Sequence, residues 1–456
     1  MNKIKFATAA LAIIAILPIE TWSQLKQSKT TGKPNVILIY TDDQGTLDLN
    51  IYGAKDLQTP NLDQLARKGT RFSRFYSASP ICSPSRASLL TGRYPQRAGL
   101  VGNAAGMYGG GGMPGNQYTM AEMFKENGYK TAHIGKWHLG YSPETMPNAQ
   151  GFDYSFGFMG GCIDNYSHFY YWGGPNQHDL WRNGKEIYEP GKFYADLLVT
   201  EASKFLSENK NNPFFMYFAI NAPHYPLQPE KKWIDYYKDL PMPRRMYAAY
   251  MSTMDDKIGQ LLKKVDELGL TNNTIIIFQS DQGHSKEDRS FGGGGYAGAY
   301  RGSKFSLFEG GILVPAFISW PGHIPVNEIR NQFAANIDWF PTLAEYCHIP
   351  LPKIKIDGCS IVNLIKSGRA ASSHHEFYWQ CLGTKESPQW AVREGDWKLL
   401  HDPIEAKSGD LDENKIMLIN IRQDSTERIN LATKYPDVVM KLKKKYENWL
   451  KEATIQ

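Results

Sequence analysis

The sequence predicts an α/β fold: a large, mostly parallel sheet flanked by helices, followed by a smaller C-terminal α+β domain. Three observations lead there. Short, continuous apolar runs recur between Val36 and Phe278, amphipathic helical patterns lie between them, and the pattern changes character after about Leu364.

The first run is Val36-Ile37-Leu38-Ile39-Tyr40, and 130–134, 214–220 and 274–278 resemble it. Such runs, without a polar residue at every second position, read as strands buried on both faces, as in a parallel sheet. The helical patterns are 61–68, which starts after Pro60, 119–127, ended by Gly128, and 244–268, closed by Gly269. Strands alternating with helices predict a mostly parallel sheet. After Leu364, the segments 377–380, 390–393, 397–400 and 417–419 read as short antiparallel strands, with Glu394-Gly395-Asp396 as a hairpin turn. A final helix places Val438, Leu442, Tyr446 and Trp449 on one stripe. The glycine tracts 109–112 and 292–295 read as mobile loops. The expected division is residues 1–23 as an export signal, 24–364 as the α/β domain and 365–456 as the smaller one.

The first segment is an address. Lys3 and Lys5 precede an apolar run over 6–19, with small residues at Thr21 and Ser23. The run is short for a bilayer span, and no Cys lies near the cleavage site to carry a lipid. A secreted, periplasmic protein without a stable membrane anchor is expected. The net charge of +5 is small, and the only basic cluster, 441–445, lies on the last helix, so no nucleic-acid partner is expected. Five cysteines, Cys82, Cys162, Cys347, Cys359 and Cys381, leave one over in an oxidising compartment. If Cys82 is chemically spent, the other four either pair or stay as buried thiols.

In an open α/β sheet, ligands bind beyond the carboxyl ends of the strands. Asp42 and Asp43 follow the first strand, and Lys136 and His138 the second. His224 follows the third, and Asp281 and Gln282 the fourth. Four strands thus deliver acids, bases and cations to one edge. Asp42, Asp43, Asp281 and Gln282 offer only oxygen donors, which suits Ca²⁺, with Mg²⁺ second, rather than zinc. Three carboxylates around one point are also expected to need a cation.

The most specific stretch is Cys82-Ser83-Pro84-Ser85-Arg86-Ala87-Ser88-Leu89-Leu90-Thr91-Gly92-Arg93. Ser83 followed by Pro84 reads as a helix start, placing Cys82 at a helix N-terminus that favours an anion. On that ground Cys82 is either a reactive thiolate or a buried structural cysteine.

This stretch resembles the signature of the formylglycine-dependent (type I) sulfatases of the alkaline phosphatase superfamily: Cys-x-Pro-Ser-Arg and a Leu-Thr-Gly-Arg block. Asp42-Asp43, Gly135-Lys136-Trp137-His138-Leu139-Gly140, Ala222-Pro223-His224 and Ser280-Asp281-Gln282-Gly283 are similar to further landmarks of that family, in order. So are Arg301-Gly302-Ser303-Lys304, Glu309-Gly310-Gly311 and Trp397-Lys398-Leu399. Two positions depart from the pattern: Gln282, where Asn or His is usual, and Leu313, where Arg is favoured.

The resemblance implies hydrolysis of a sulfate ester on a sugar of the galactose or N-acetylgalactosamine type in a sulfated glycan. Cys82 becomes 3-oxoalanine (formylglycine) through a formylglycine-generating or anaerobic sulfatase-maturating enzyme. Its hydrate, a geminal diol, is the nucleophile beside Ca²⁺, held by Asp42, Asp43, Asp281, Gln282 and the modified Cys82. Asp281 takes a proton from the diol, and Lys136 and Lys304 hold the sulfate. His224 protonates the leaving oxygen, His138 helps expel sulfate, and Arg86 orients the diol. The neighbouring expectations are a phosphoester or phosphonate hydrolase of the same superfamily, a broad arylsulfatase, or a non-catalytic carbohydrate-binding protein.

Residues 161–181 are dense in aromatics (Tyr166, Phe169, Tyr170, Tyr171, Trp172 and Trp181) and hold His168. They read either as a sugar-specificity loop, with His168 on a sugar hydroxyl, or as a satellite core.

Overall fold

The computed structural model describes residues 32–170, 176–383, 388–405 and 415–454. The export signal expected at 1–23, and Tyr171 and Trp172, lie outside the described residues. Gly32–Gln456 form one compact unit.

Five parallel strands form the centre of a ten-stranded mixed sheet: β1 (Asn35–Thr41), β2 (Lys130–Lys136), β3 (Tyr154–Phe158), β4 (Phe214–Ala219) and β5 (Thr274–Ser280). Their order across the sheet is β5-β1-β4-β2-β3. Ala316–Ser319 pairs antiparallel beside β5 and Trp181–Arg182 antiparallel beside β3, continuing the sheet on each side. The four apolar runs are all central strands, and β1 is buried along its whole length. Because side chains alternate across a strand, β1 feeds two cores. Val36, Leu38 and Tyr40 join Leu89, Phe124 and Trp339, from helices Cys82–Thr91, Met120–Glu126 and Trp339–Tyr346. Ile37 and Ile39 join Leu62, Leu198 and Ile258, from helices Pro60–Arg67, Tyr194–Asn209 and Arg244–Glu267.

Local chemistry sets the helix ends. Pro60 opens its helix at the first position, where its missing N–H costs nothing. Thr119 and Glu122 form a reciprocal capping box. No helix among the described residues is long and apolar enough to cross a membrane.

The C-terminal strands Glu376–Gly383, Pro388–Glu394, Trp397–His401 and Ile416–Asn420 form an antiparallel meander, turning at Gly395-Asp396 as expected. The last helix, Pro436–Thr454, stacks Tyr446 on Trp390 and Trp449 on Tyr378. This sheet shares its core with Leu307, Phe308, Ile312 and Leu313. Leu313 is thus a packing residue of that contact. Lys398 crosses the same contact, its Nζ 2.9 Å from Glu309 and 2.7 Å from Glu427. All five cysteines are unpaired thiols.

Candidate active site

The strand ends converge. Asp42 and Asp43 leave β1, Asp281 and Gln282 leave β5, Lys136 ends β2, and His224 follows β4 in the next turn. The helix carrying Cys82 (α1, Cys82–Thr91) starts earlier than its Ser-Pro pair suggests. Ile81 is the N-cap, so Cys82 is the first helical residue. All ten residues of α1 are buried, which suits its run of small side chains. Its end is fixed by Gly92 in a left-handed conformation (φ 66°), where a Cβ would lie 2.8 Å from Phe340.

Ser85 ties α1 to the sheet. Its Oγ donates to the Asp281 carbonyl at 2.7 Å and meets the Tyr40 hydroxyl at 2.8 Å. The motif serine therefore registers Cys82 against the β5 end, a role its sequence position did not disclose. Arg86 is fully buried. It donates to Asp281 Oδ2 at 2.7 Å, lies 3.5 Å from Asp42 Oδ1, and reaches Tyr217 and the Lys136 carbonyl. It is not a surface residue at a helix start.

Each carboxylate has its own cation. Lys136 Nζ is 2.7 Å from Asp42, Lys304 Nζ 2.9 Å from Asp43, and Arg86 2.7 Å from Asp281. The carboxylates expected to need a cation thus meet lysine and arginine cations of the protein itself. The balance is uneven, however. Burial raises Asp42, but Lys136, His224, Arg86 and Lys304 outweigh it and hold Asp42 well below the carboxylate range. Burial pushes Asp43 up to about 6 against Lys304. Burial, with Asp42 nearby, pushes Asp281 up to about 7 against Arg86.

Donor atoms of Asp42, Asp43, Cys82 and His224 all lie within 4.8 Å of one another. Asp281 Oδ1 accepts from the Asp43 and Gln282 amides, so it belongs to the same cluster. Gln282 donates its Nε2 to Asp43 and reaches Cys82 Sγ at 3.5 Å, leaving its Oε1 buried without a partner. An orphaned carbonyl oxygen beside carboxylates is what an oxygen-ligated cation would satisfy, so the residues fit a hard divalent ion. Asp43 (φ 62°) and His138 (φ 55°) hold left-handed conformations, which cost a non-glycine residue about 1 kcal/mol or more and gather at functional sites.

Burial pushes the Cys82 thiol up to about 12, although Lys136 and Lys304 oppose it. The helix N-terminus does not make it a thiolate. Burial also holds His138 and His224 well below the usual imidazole range. His224 Nδ1 donates to the Tyr225 carbonyl at 2.7 Å, which leaves Nε2 to accept from Lys304 at 3.3 Å.

Above this cluster opens a cavity of about 250 Å³, lined by Cys82, His138, His224 and Lys304 and, further out, by Asn103, Tyr170, Tyr225, Glu287 and Arg289. Apart from Tyr170, which belongs to the aromatic stretch 161–181, the outer residues carry no motif and escape sequence reasoning. The structure does not bring His168 to this cavity. Its ring is buried beside Tyr194 and His178, with Nε2 3.0 Å from the Lys192 carbonyl. Three of the described aromatics of 161–181 rest on other rings, Tyr166 on Phe193, Phe169 on His178, and Trp181 on Tyr108 and Tyr141, although Tyr166 and Phe169 stay exposed. Tyr170 alone of that set lines the cavity.

Comparison with known proteins bears on the chain as a whole. A family model described as Sulfatase matches residues 34–349, and one described as N-sulphoglucosamine sulphohydrolase, C-terminal, matches 300–452. N-acetylgalactosamine-6-sulfatase of Rattus norvegicus is 32% identical over 79% of this chain and 71% of its own. Arylsulfatase A of Homo sapiens is 31% identical over 80% of this chain and 74% of its own. The crystal structure of Ps i-CgsB in complex with k-i-k-neocarrahexaose superposes with a TM-score of 0.83 at 30% identity, covering 92% of this chain and 93% of that one.

Proposed function

The chain belongs to the sulfatase family, and on that premise we propose that it releases sulfate from a sulfated galactose or N-acetylgalactosamine residue of a glycan. It is a sulfuric ester hydrolase. The observation that carries the reading is the juxtaposition of Cys82, at the head of α1, with carboxylates and lysines from three strands of the parallel sheet and one loop, and with His224 after a fourth strand. For the substrate, support comes from two proteins named above, one an N-acetylgalactosamine-6-sulfatase and one crystallised with a neocarrahexaose.

Asp42, Asp43, Asp281 and Gln282, with the modified Cys82, would hold Ca²⁺, Mg²⁺ being the second choice. Bound there, the cation supplies Lewis-acid charge to the attacking oxygen and the sulfate. Cys82, converted to formylglycine and hydrated, provides that oxygen. A sulfate ester is an anion, so an anionic attack needs preorganised positive charge around it. Lys136 and Lys304, beside Asp42 and Asp43, carry that charge. Arg86 keeps Asp281 oriented, and Asp281 is the acceptor for the nucleophile's proton. His224, anchored through Nδ1, presents Nε2 to the leaving oxygen, and Lys304 Nζ, 3.3 Å away, is the source of the proton that passes through Nε2 to that oxygen. His138, on the cavity wall, takes the proton that lets sulfate depart. An export signal over 1–23 would place the enzyme in the periplasm, after maturation by a formylglycine-generating or anaerobic sulfatase-maturating enzyme.

The test is sulfate release, read by ion chromatography, from monosulfated galactose and N-acetylgalactosamine isomers by protein coexpressed with a maturating enzyme. Matched phosphate esters are measured in parallel. We expect sulfate release that Cys82→Ala abolishes with an unchanged melting transition. Faster turnover of the phosphate esters would overturn the assignment in favour of a phosphoester hydrolase.

A further inference from the structure

Outside the metal-ligand cluster, the cavity wall carries a second charged assembly that the chemistry above does not use. Glu287 Oε1 lies 2.8 Å from Arg289, and Glu287 Oε2 lies 3.4 Å from Lys304 Nζ, the lysine assigned to the sulfate. The Arg289 guanidinium stands 5.0 Å from the Tyr225 ring centroid, and the same ring lies 5.6 Å from Lys304 Nζ. The side chains of Glu287 and Arg289 are 10% and 26% exposed, so both are held yet reachable from the cavity they line.

The loop presenting them is pinned. Ser285 Oγ bonds both the Glu287 carboxylate and the Glu287 amide at 3.1 Å, and the Glu287 carbonyl accepts from the Ser290 hydroxyl and the Gly292 amide. Of the 292–295 tract, read from sequence as a mobile loop, Gly292 faces open space and the other three glycines pack against their surroundings. A Cβ at Gly295 would lie 2.2 Å from His284, and one at Gly294 2.8 Å from Tyr247. Glycine here permits close backbone approach.

We propose that Glu287 and Arg289, with Tyr225 beneath them, are specificity-determining residues that read unsulfated hydroxyls next to the sulfated carbon of the sugar. The inference rests on the sulfatase reading and extends it. A sugar hydroxyl both donates and accepts, and a carboxylate beside a guanidinium supplies the matching acceptor and donors. The pair sits one contact from Lys304, so a sulfate held by that lysine brings the neighbouring ring carbons against it. A second sulfate at that place is disfavoured, because Glu287 is itself anionic and already occupies Arg289.

The experiment compares wild type, Glu287→Gln and Arg289→Met on three probes and on a substrate bearing a second adjacent sulfate. The three probes are the monosulfated galactose isomer that wild type hydrolyses fastest, the same compound deoxygenated beside the ester, and 4-nitrophenyl sulfate, which has no hydroxyl. Losing a charge-assisted hydrogen bond to one hydroxyl should lower kcat/KM on the sugar sulfate about 10- to 100-fold. The loss should exceed that on 4-nitrophenyl sulfate by at least about tenfold, and the deoxy probe should erase the difference between wild type and variants. Glu287→Gln keeps the side-chain shape, so an intact melting transition in that variant keeps the comparison valid if Arg289→Met folds poorly. Equal losses on the sugar and aryl probes would overturn the proposal and make the pair a support for Lys304. Faster hydrolysis of a substrate bearing a second adjacent sulfate, lost in Arg289→Met, would also overturn it. Failure of matured wild type on every sulfate ester would instead overturn the sulfatase reading, and this inference with it.

Discussion

Removing one buried ammonium should loosen the whole C-terminal contact, and Lys398→Met tests this. Lys398 is 0% exposed, and its two partners, Glu309 and Glu427, are 2% and 0% exposed. In the native protein burial pushes Glu427 up to about 7 against Lys398, whereas at Glu309 Lys398 and Arg393 outweigh burial and lower the carboxyl. Methionine preserves the apolar stem but leaves two carboxyls facing each other without their shared cation. Breaking a buried pair from one side costs roughly 3–5 kcal/mol. For the compact unit Gly32–Gln456, unfolding entropy scales to about 0.9 kcal/mol/K, so Tm should fall by about 3–6 °C. The sign of the pH dependence follows from the raised carboxyls. The folded variant binds a proton that the unfolded chain releases, so its deficit shrinks towards pH 6 and grows towards pH 8. Calorimetry across that range, with the double variant Lys398→Met/Glu427→Gln, provides the check, and neutralising one carboxyl should recover much of the loss. Activity should fall too. Glu309 starts the turn whose Gly311 carbonyl accepts from the Gly283 amide at 2.9 Å, next to Gln282. An unchanged Tm, or a deficit that deepens at low pH, would refute the reasoning.

Three more outcomes are expected. Exhaustive chelation should abolish activity and lower Tm, and Ca²⁺ at a hundredfold excess over its dissociation constant should return about 2.7 kcal/mol of stability; stoichiometric zinc by elemental analysis would contradict the oxygen donor set. Cys82→Ser should undergo no multiple turnover, since serine has no second hydroxyl to expel sulfate, and mass spectrometry of matured protein should show an aldehyde in place of the Cys82 thiol; full activity of the serine variant would sink the mechanism. At His374, burial lowers the imidazole pKa, but Asp338 at 2.7 Å outweighs it and holds the group above 6.5, so its contribution is full below that value and fades as pH rises through the folded value; the Tm gap between wild type and His374→Gln should therefore narrow from pH 5.5 to pH 8.5, and a widening gap would contradict the pairing.

Sequence reasoning succeeded where one local rule decides the outcome. Four central strands were legible because burial on both faces demands unbroken apolar runs. β3 escaped because Ser155 and Gly157 interrupt its run, and both residues answer to neighbours instead. Gly157 lies so close to β2 that a Cβ would stand 1.8 Å from the Gly135 carbonyl, and Ser155 bonds His133 on the same neighbour. The residues at the strand ends were legible for a related reason, since an open α/β sheet sends successive C-termini to one edge. Pairing was not legible, because it depends on strand order. β1 lies between β5 and β4, neither adjacent to it in sequence. Ala219, the last residue of β4, is in register with Gly135, so Lys136 stands past the end of the intervening strand and reaches Asp42. The sequence named the cations of the site but not their partners: the fold sets Lys136 from β2 against Asp42, Arg86 from α1 against Asp281, and Lys304, from a loop braced by the C-terminal sheet, against Asp43. Those same three cations make the site selective in charge. A divalent cation on the neighbouring carboxylates would add to that positive charge. Free sulfate should therefore bind more tightly in the presence of Ca²⁺ than in its absence, and equal binding in both would contradict the assignment of these residues as the cation's ligands.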